Sequence, residues 1–179
     1  MTVDENSSIL KPTWQCPPNV KAMFLIKKQF GNSALTLQSF LSTTKFKTVN
    51  NFKPYWMRQT HSSKIIKLPS KIPHKYGDAI YTSQPNQICA VQVADCVPIL
   101  LADRKGKEVS AIHSGWKGIF KNIVEKTICQ FHCEPSKIIA WVGPSISIEN
   151  YEVKDDFQKR FSSHSHLSQC FEEKRGKKF

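Results

Sequence analysis

Arginine is scarce in this 179-residue chain. Arg58, Arg104, Arg160 and Arg175 are the only four among 26 Lys and Arg residues. The formal net charge of +12 would by itself invite a nucleic-acid partner. Proteins that read base sequence favour the bidentate guanidinium, however, and here lysines scattered along the chain carry the charge. This pattern describes a solvated surface with a general attraction for anions such as phosphate. It argues against a specific nucleic-acid partner.

Long apolar runs are missing as well. No stretch reaches the roughly 18 residues of a membrane span, so no membrane partner is expected. The N-terminal MTVDENSSILKPTWQCPPN lacks the basic start and apolar middle of an export signal, and a cytoplasmic protein is expected. Six cysteines in this length do not make a disulfide framework. Cys89, Cys96 and Cys129 lie in apolar runs, where a thiol behaves as a small hydrophobe, and reduced thiols are expected. There is no internal repeat, low-complexity segment or interdomain linker. Length and a hydrophobic content of 40% fit one domain with a real core.

Along the chain, residues 1–19 read as a tail or extended cap, because Pro12, Pro17 and Pro18 disfavour helix. Residues 20–27 read as a buried strand and 28–53 as polar, with a short helix or strand at 34–41 that periodicity does not resolve. Residues 54–68 suggest two strands around a polar break, the first ending at Gln59-Thr60-His61. Residues 78–82, 88–94, 97–102, 109–112 and 138–142 read as further strands. The near-continuous apolar runs at 88–94 and 97–102 suit strands buried on both faces. An amphipathic helix is expected over 117–132 from the spacing of Ile119, Ile123, Thr127, Ile128 and Phe131. Another helix start is expected over 154–161, before a charged, frayed end.

The segment DRKGKE at 103–108 is a hairpin turn, with Gly106 free to take positive φ. It sets the 97–102 and 109–112 strands side by side. Cys96, before the first, and His113, after the second, then fall at the same end of the hairpin. His61 lies upstream in QTHSSK. These three residues form one candidate site on three readings. As N/S ligands they leave a fourth position open, the pattern of a catalytic zinc site, where a bound water is activated. Cys96 and His113 could instead form a nucleophilic pair. Alternatively, an inert thiol lies beside two unrelated histidines. Asp95 either orients a ligand or moves a proton, or ties down loop backbone. In SGWKG, backbone N–H groups could hold an anion and Trp116 could stack on a planar ring, or the segment is a tight turn with a packed Trp. Cys129, His132 and Cys133 read as core and helix-end residues, His164 and His166 as exposed, and His74 as a loop residue.

Taken together, QTHSSK, DAIYT, VQVADCVPILLAD, VSAIHSGWKG and WVGPSISIENYEV resemble ordered signatures of one family. Those signatures are a QVHG-type motif, D-A-hydrophobic-T, T-A-D-C-x-P, A-x-H-A-G-W-R-G and I-G-P-x-I-x-x-x-x-Y-E-V. The family is that of the multicopper polyphenol oxidoreductases, or laccase-like proteins, also described as purine nucleoside phosphorylases. The resemblance runs from about residue 14 to 161. It implies an α+β fold, a mixed β-sheet flanked by helices in a single domain over 20–161, between an extended segment at 1–19 and a polar tail at 162–179. It implies a metal centre of His61, Cys96 and His113 holding zinc, or alternatively copper, with Asp95, Cys96 and His113 as catalytic residues. Gln59, Trp116, Lys117 and Lys28 are the implied substrate and phosphate contacts.

The implied reactions are phosphorolysis of adenosine, inosine or guanosine and adenosine deamination, with copper-dependent phenol oxidation also attributed to the family. Lysine stands at 27–28 and 117 where the family patterns carry arginine. The chain is also shorter than the family pattern between Ser33 and Tyr55 and at its C-terminus. These departures make an inactive metal-binding remnant one alternative; a metal-free Cys–His hydrolase, from the Cys96–His113 pair, is another.

Overall fold

The computed structural model describes residues 9–26, 54–72, 75–162 and 165–171. Two compact units divide the chain, residues 1–145 and 146–179. In the first, β3 (Ile65–Leu68), β4 (Ala79–Thr82), β5 (Val97–Asp103), β6 (Val109–Ser114) and β7 (Ile138–Val142) form a five-stranded sheet in the order β3-β4-β6-β5-β7. The β3–β4 pair is parallel and the others antiparallel, so the sheet is mixed, as the resemblance implied.

The β5–β6 hairpin is the expected one. Gly106 takes φ +67°, and the Asp103 carboxylate accepts the backbone N–H groups of Lys105, Lys107 and Glu108 at 3.0, 2.6 and 2.7 Å. β6 runs further than expected, through Ser114, so that His113 sits within the strand, paired with Pro98.

Side chains alternate across the sheet with period two. One face carries Ala79, Tyr81, Leu101 and Ile112, packed with Ile123 and Phe131 from the segment after β6. The other carries Ile66, Leu68 and Ile80, packed with Tyr55, Met57 and Cys89. The alternation that places Ile80 on this second face also places Asp78 there, two residues earlier.

Four expectations are corrected. Residues 88–94 do not form a sheet strand. Cys89 makes one isolated parallel bridge to Tyr55, and an apolar run marks a covered segment without fixing a ladder. YWMRQ likewise contributes only isolated bridges, at Tyr55 and Arg58. Among the described residues of 20–27, only Phe24–Leu25 (β2) pairs, and its partner is Ile9–Leu10 (β1), in a two-stranded ribbon.

The helix expected over 117–132 is instead two short ones, α1 (Trp116–Phe120) and α2 (Ile123–Ile128). Asn122 breaks them apart with left-handed φ 57° and ψ 49°, a conformation that asparagine tolerates better than most residues. The apolar spacing survives the break: Ile123 and Thr127 are fully buried.

In the second unit, Ile148–Asn150 forms a 3-10 turn, followed by α3 (Asp155–Lys159) and α4 (Ser165–Ser168). The Phe157, Phe161 and Phe171 rings cluster at centroid distances of 5.2 to 6.2 Å. Lys28, His74, His164 and the 34–41 segment lie outside the described residues, as does the side chain of His166. No helix among the described residues is long and apolar enough to cross a membrane.

Candidate metal centre

His61, Cys96 and His113 converge. One ligand atom from each lies within 4.8 Å of the others. Each arrives by a different route. Cys96 is the last residue before β5, and His113 is the penultimate residue of β6. His61 comes from the turn before β3, with left-handed φ 55°. The Cys96–His113 proximity argued from hairpin geometry is present, and the thiol also makes a short contact to His61, at 3.7 Å from Sγ to Nε2. The two imidazoles meet edge to face, with ring centroids 4.8 Å apart. His113 is buried, Cys96 half-buried and His61 exposed, so the site opens on the His61 side.

Behind the histidines lies Asp78, which is fully buried. Its Oδ1 is 2.8 Å from His113 Nδ1. Its carboxylate also accepts the backbone N–H groups of Thr60, His61 and Ser62, at 3.2, 3.0 and 2.6 Å, and the Ser62 hydroxyl at 2.6 Å. Burial pushes its pKa up, but the hydrogen bonds from Ser62, His113 and Thr60 outweigh burial and hold it below the ordinary Asp value. Sequence reasoning gave Asp78 no role. The available signal was its place at the head of DAIYT, where a carboxylate precedes an apolar strand.

Gly115 closes the floor of the site. A Cβ there would stand 2.8 Å from His61 Cδ2 and 3.0 Å from Cys96 Sγ, closer than side chains pack. The Cys96 thiol has its pKa raised, by burial first and then by the charges of Asp95 and Asp78.

The donor set fits a zinc or copper ion: one sulfur and two imidazole nitrogens, with a side open to a further ligand. Ordinary zinc bond lengths give a tetrahedral S–N edge of about 3.6 Å, close to the 3.7 Å between Cys96 and His61. The widest separation in the trio, 4.8 Å, would have to close by about 1 Å to match such an edge.

The other expected contacts are placed as follows. The Gln59 side chain faces the 88–94 segment, donating to Gln92 O at 2.6 Å and accepting from Gln92 N at 2.8 Å. In effect it docks the stretch that leads to Asp95 and Cys96. Asp95 is exposed beside Cys96. Trp116 opens α1, and Lys117 Nζ lies over its ring at 5.5 Å from the centroid. At five residues, α1 spans little more than one turn.

A second polar cluster involves Tyr81 of β4. The buried Glu108 carboxylate accepts from the Tyr81 hydroxyl and pairs with His132 Nδ1 at 2.7 Å. His132 thus ties the end of the helical segment to the hairpin, in line with a helix-end role.

Residues 37–179 match the family described as multi-copper polyphenol oxidoreductase laccase. The chain is 34% identical over 168 residues to a purine nucleoside phosphorylase of Haemophilus influenzae, spanning 85% of this chain and 68% of that protein. It is 38% identical over 110 residues to purine nucleoside phosphorylase YfiH of Escherichia coli, covering 61% of this chain and 45% of that protein. The chain therefore spans less than half the length of the second relative. A Neisseria meningitidis protein of known crystal structure shares the fold at TM-score 0.78 and 23% identity, over 95% of this chain and 76% of that one. With the match covering most of the chain, this protein belongs to the multi-copper polyphenol oxidoreductase laccase family.

Proposed function

We propose that this chain is a metal-dependent enzyme acting on purine nucleosides at the His61–Cys96–His113 centre. The observation that carries the reading is the convergence of those three side chains within 4.8 Å, in a chain whose relatives are named purine nucleoside phosphorylases. Two reactions suit the site. In phosphorolysis, a phosphate oxygen bonds to the sugar C1′ as the glycosidic C–N bond breaks, giving ribose 1-phosphate and the base, whose nitrogen takes a proton. In deamination of adenosine, a water oxygen bonds to C6 and ammonia leaves, giving inosine.

A zinc or copper ion held by His61, Cys96 and His113 would supply Lewis-acid activation and so favour attack at neutral pH. Asp95, exposed and next to Cys96 in the chain, is the candidate to move a proton. The half-buried Trp116 offers a face for a purine, and Lys117 a nearby cation for phosphate. The alternative that it only holds metal rests on its lysines at 27–28 and 117, which keep the charge without the bidentate fork.

A metal-free Cys–His hydrolase is less well supported. Such a nucleophile needs a lowered thiol pKa, and that of Cys96 is raised.

The test is to incubate metal-quantified protein with adenosine, with and without phosphate, and to chromatograph the products. Adenine only with phosphate establishes phosphorolysis, and inosine without phosphate establishes deamination. Cys96→Ala should abolish both the metal and the turnover. No product from a chain holding one zinc would sink the enzyme reading and leave the metal-binding remnant.

A further inference from the structure

We infer that Asp78 is the positioning residue of this centre: its one carboxylate fixes the tautomer of His113 and the backbone turn that carries His61, so that both histidines are set toward Cys96 before a ligand arrives. The inference concerns how the site is held. Only its metal-affinity arm rests on the metal reading given above.

The geometry allows little else. Asp78 is fully buried, and its two oxygens face donors on every side. Oδ1 takes the N–H of Thr60 and His61, and Oδ2 takes the N–H and hydroxyl of Ser62. His113 Nδ1 lies 2.8 Å from Oδ1, a distance at which a ring nitrogen presenting a lone pair to a carboxylate would be repelled. Nδ1 therefore carries the proton. In the neutral ring Nε2 is then left as the lone-pair nitrogen, the only one that can ligate.

The same carboxylate acts on His61 through the backbone. Residues 60–62 present three consecutive N–H groups to it, which requires the chain to curl around the oxygens. His61 takes left-handed φ 55° in that curl, a conformation unfavourable for an L-residue unless the surroundings hold it. Asp78 thus links two ligands that are far apart in sequence. Its own position is set by β4: His113 N–H donates to Asp78 O at 2.7 Å, locking the carboxylate's strand to the strand that carries His113.

Asp78→Asn separates positioning from bulk, because it keeps the size and removes one acceptor. An amide cannot satisfy both sides. With its NH₂ in the place of Oδ1 it abandons the Thr60 and His61 N–H groups and drives His113 Nδ1 to accept, which moves the proton to Nε2 and blocks ligation; with its NH₂ toward Ser62 it loses the Ser62 N–H and loosens the turn that carries His61. The experiment uses the full chain labelled with ¹⁵N-histidine, free of metal, at a pH where imidazole is neutral. Long-range ¹H–¹⁵N spectra read the His113 tautomer, and competition with a chromophoric chelator reads the affinity for Zn²⁺ alone. We expect the Nδ1–H form in the wild type, a shift toward the Nε2–H form in Asp78→Asn, and zinc affinity weakened by about 10–100-fold, the range for losing an outer partner of a metal ligand.

An Nε2–H tautomer in the wild type would overturn the inference whether or not the variant folds. A folded Asp78→Asn that keeps the Nδ1–H form and binds zinc within a factor of about two of wild type would also overturn it. A wild type that shows Nδ1–H, loses it in the variant and takes up no zinc would uphold the positioning role while sinking the metal reading.

Discussion

Cys96 Sγ stands 3.7 Å from His61 Nε2 although 35 residues separate them, and the backbone of Gly115 passes against both. The contact leaves no room for a methyl group. Gly115→Ala should therefore push His61 and Cys96 apart while leaving the sheet intact. We expect zinc affinity to fall by about tenfold or more, toward the losses seen when the support of a metal ligand is disturbed, with a smaller change in thermal stability. Chelator competition and a thermal melt on the same preparation check this. A melt that collapses with unchanged affinity would place the strain elsewhere.

Ser114 is buried, and its hydroxyl finds no hydrogen-bond partner among the described residues. A buried hydroxyl without a partner carries its desolvation cost uncompensated, on the order of 1–3 kcal/mol. Ser114→Ala, which restores the alanine of the family pattern at this position, should be neutral or stabilising by about 1 kcal/mol. Urea unfolding at constant m-value measures it. A clear loss of stability would show that the hydroxyl has a partner after all.

Glu108 predicts the acid limb of stability. Burial raises its pKa, but hydrogen bonds from Tyr81 and His132 outweigh burial and hold it below the ordinary value. A carboxyl whose folded pKa is depressed contributes stability that is complete above its unfolded value, about 4.3 for Glu, and is lost as pH falls through the folded pKa. Glu108→Gln should lower the melting temperature near neutral pH. It should also flatten the decline of stability below about pH 4, as read from melts across the acid range. The same cluster pushes the Tyr81 hydroxyl well above its ordinary pKa, through burial and then the Glu108 contact, so Tyr81 stays protonated as the donor.

At the hairpin turn, Gly106 combines φ +67° with a close neighbour. A Cβ there would lie 2.3 Å from Asn19 Oδ1. Gly106→Ala should destabilise by roughly 1–2 kcal/mol from the left-handed backbone alone, plus the displacement of Asn19. Asn19→Ala in the same chain should recover the second part and none of the first, a separation that a double-mutant cycle measures.

What the sequence made legible follows the range of each interaction. The β5–β6 hairpin, its Gly106 turn and the juxtaposition of Cys96 and His113 depend on residues within one local unit, and periodicity with turn chemistry was enough to read them. His61 entered by its residue type, as a third possible ligand, and not by local geometry, because nothing local ties QTHSSK to a hairpin 35 residues away. The left-handed Asn122 was hidden because the apolar spacing continues across the break and implies one unbroken helix. Residues 88–94 were misread because the apolar run meets a side-chain docking point, the Gln59 amide on Gln92, in place of a sheet partner. Asp78 was missed because three of its partners are backbone N–H groups, which no sequence pattern displays, and its side-chain partners Ser62 and His113 lie 16 and 35 residues away.

The order of the strands has a consequence in time. Cys96 and His113 are joined by a hairpin whose turn spans a few residues, and a hairpin of this kind closes in about 1–10 μs. His61 can join them only after β3 has found β4, a parallel pairing that needs a crossover and is intrinsically slower. During refolding a two-ligand half-site should therefore precede the complete one. Zinc added early would meet a cysteine and a histidine that grip it weakly, and firm capture would report the arrival of the third ligand.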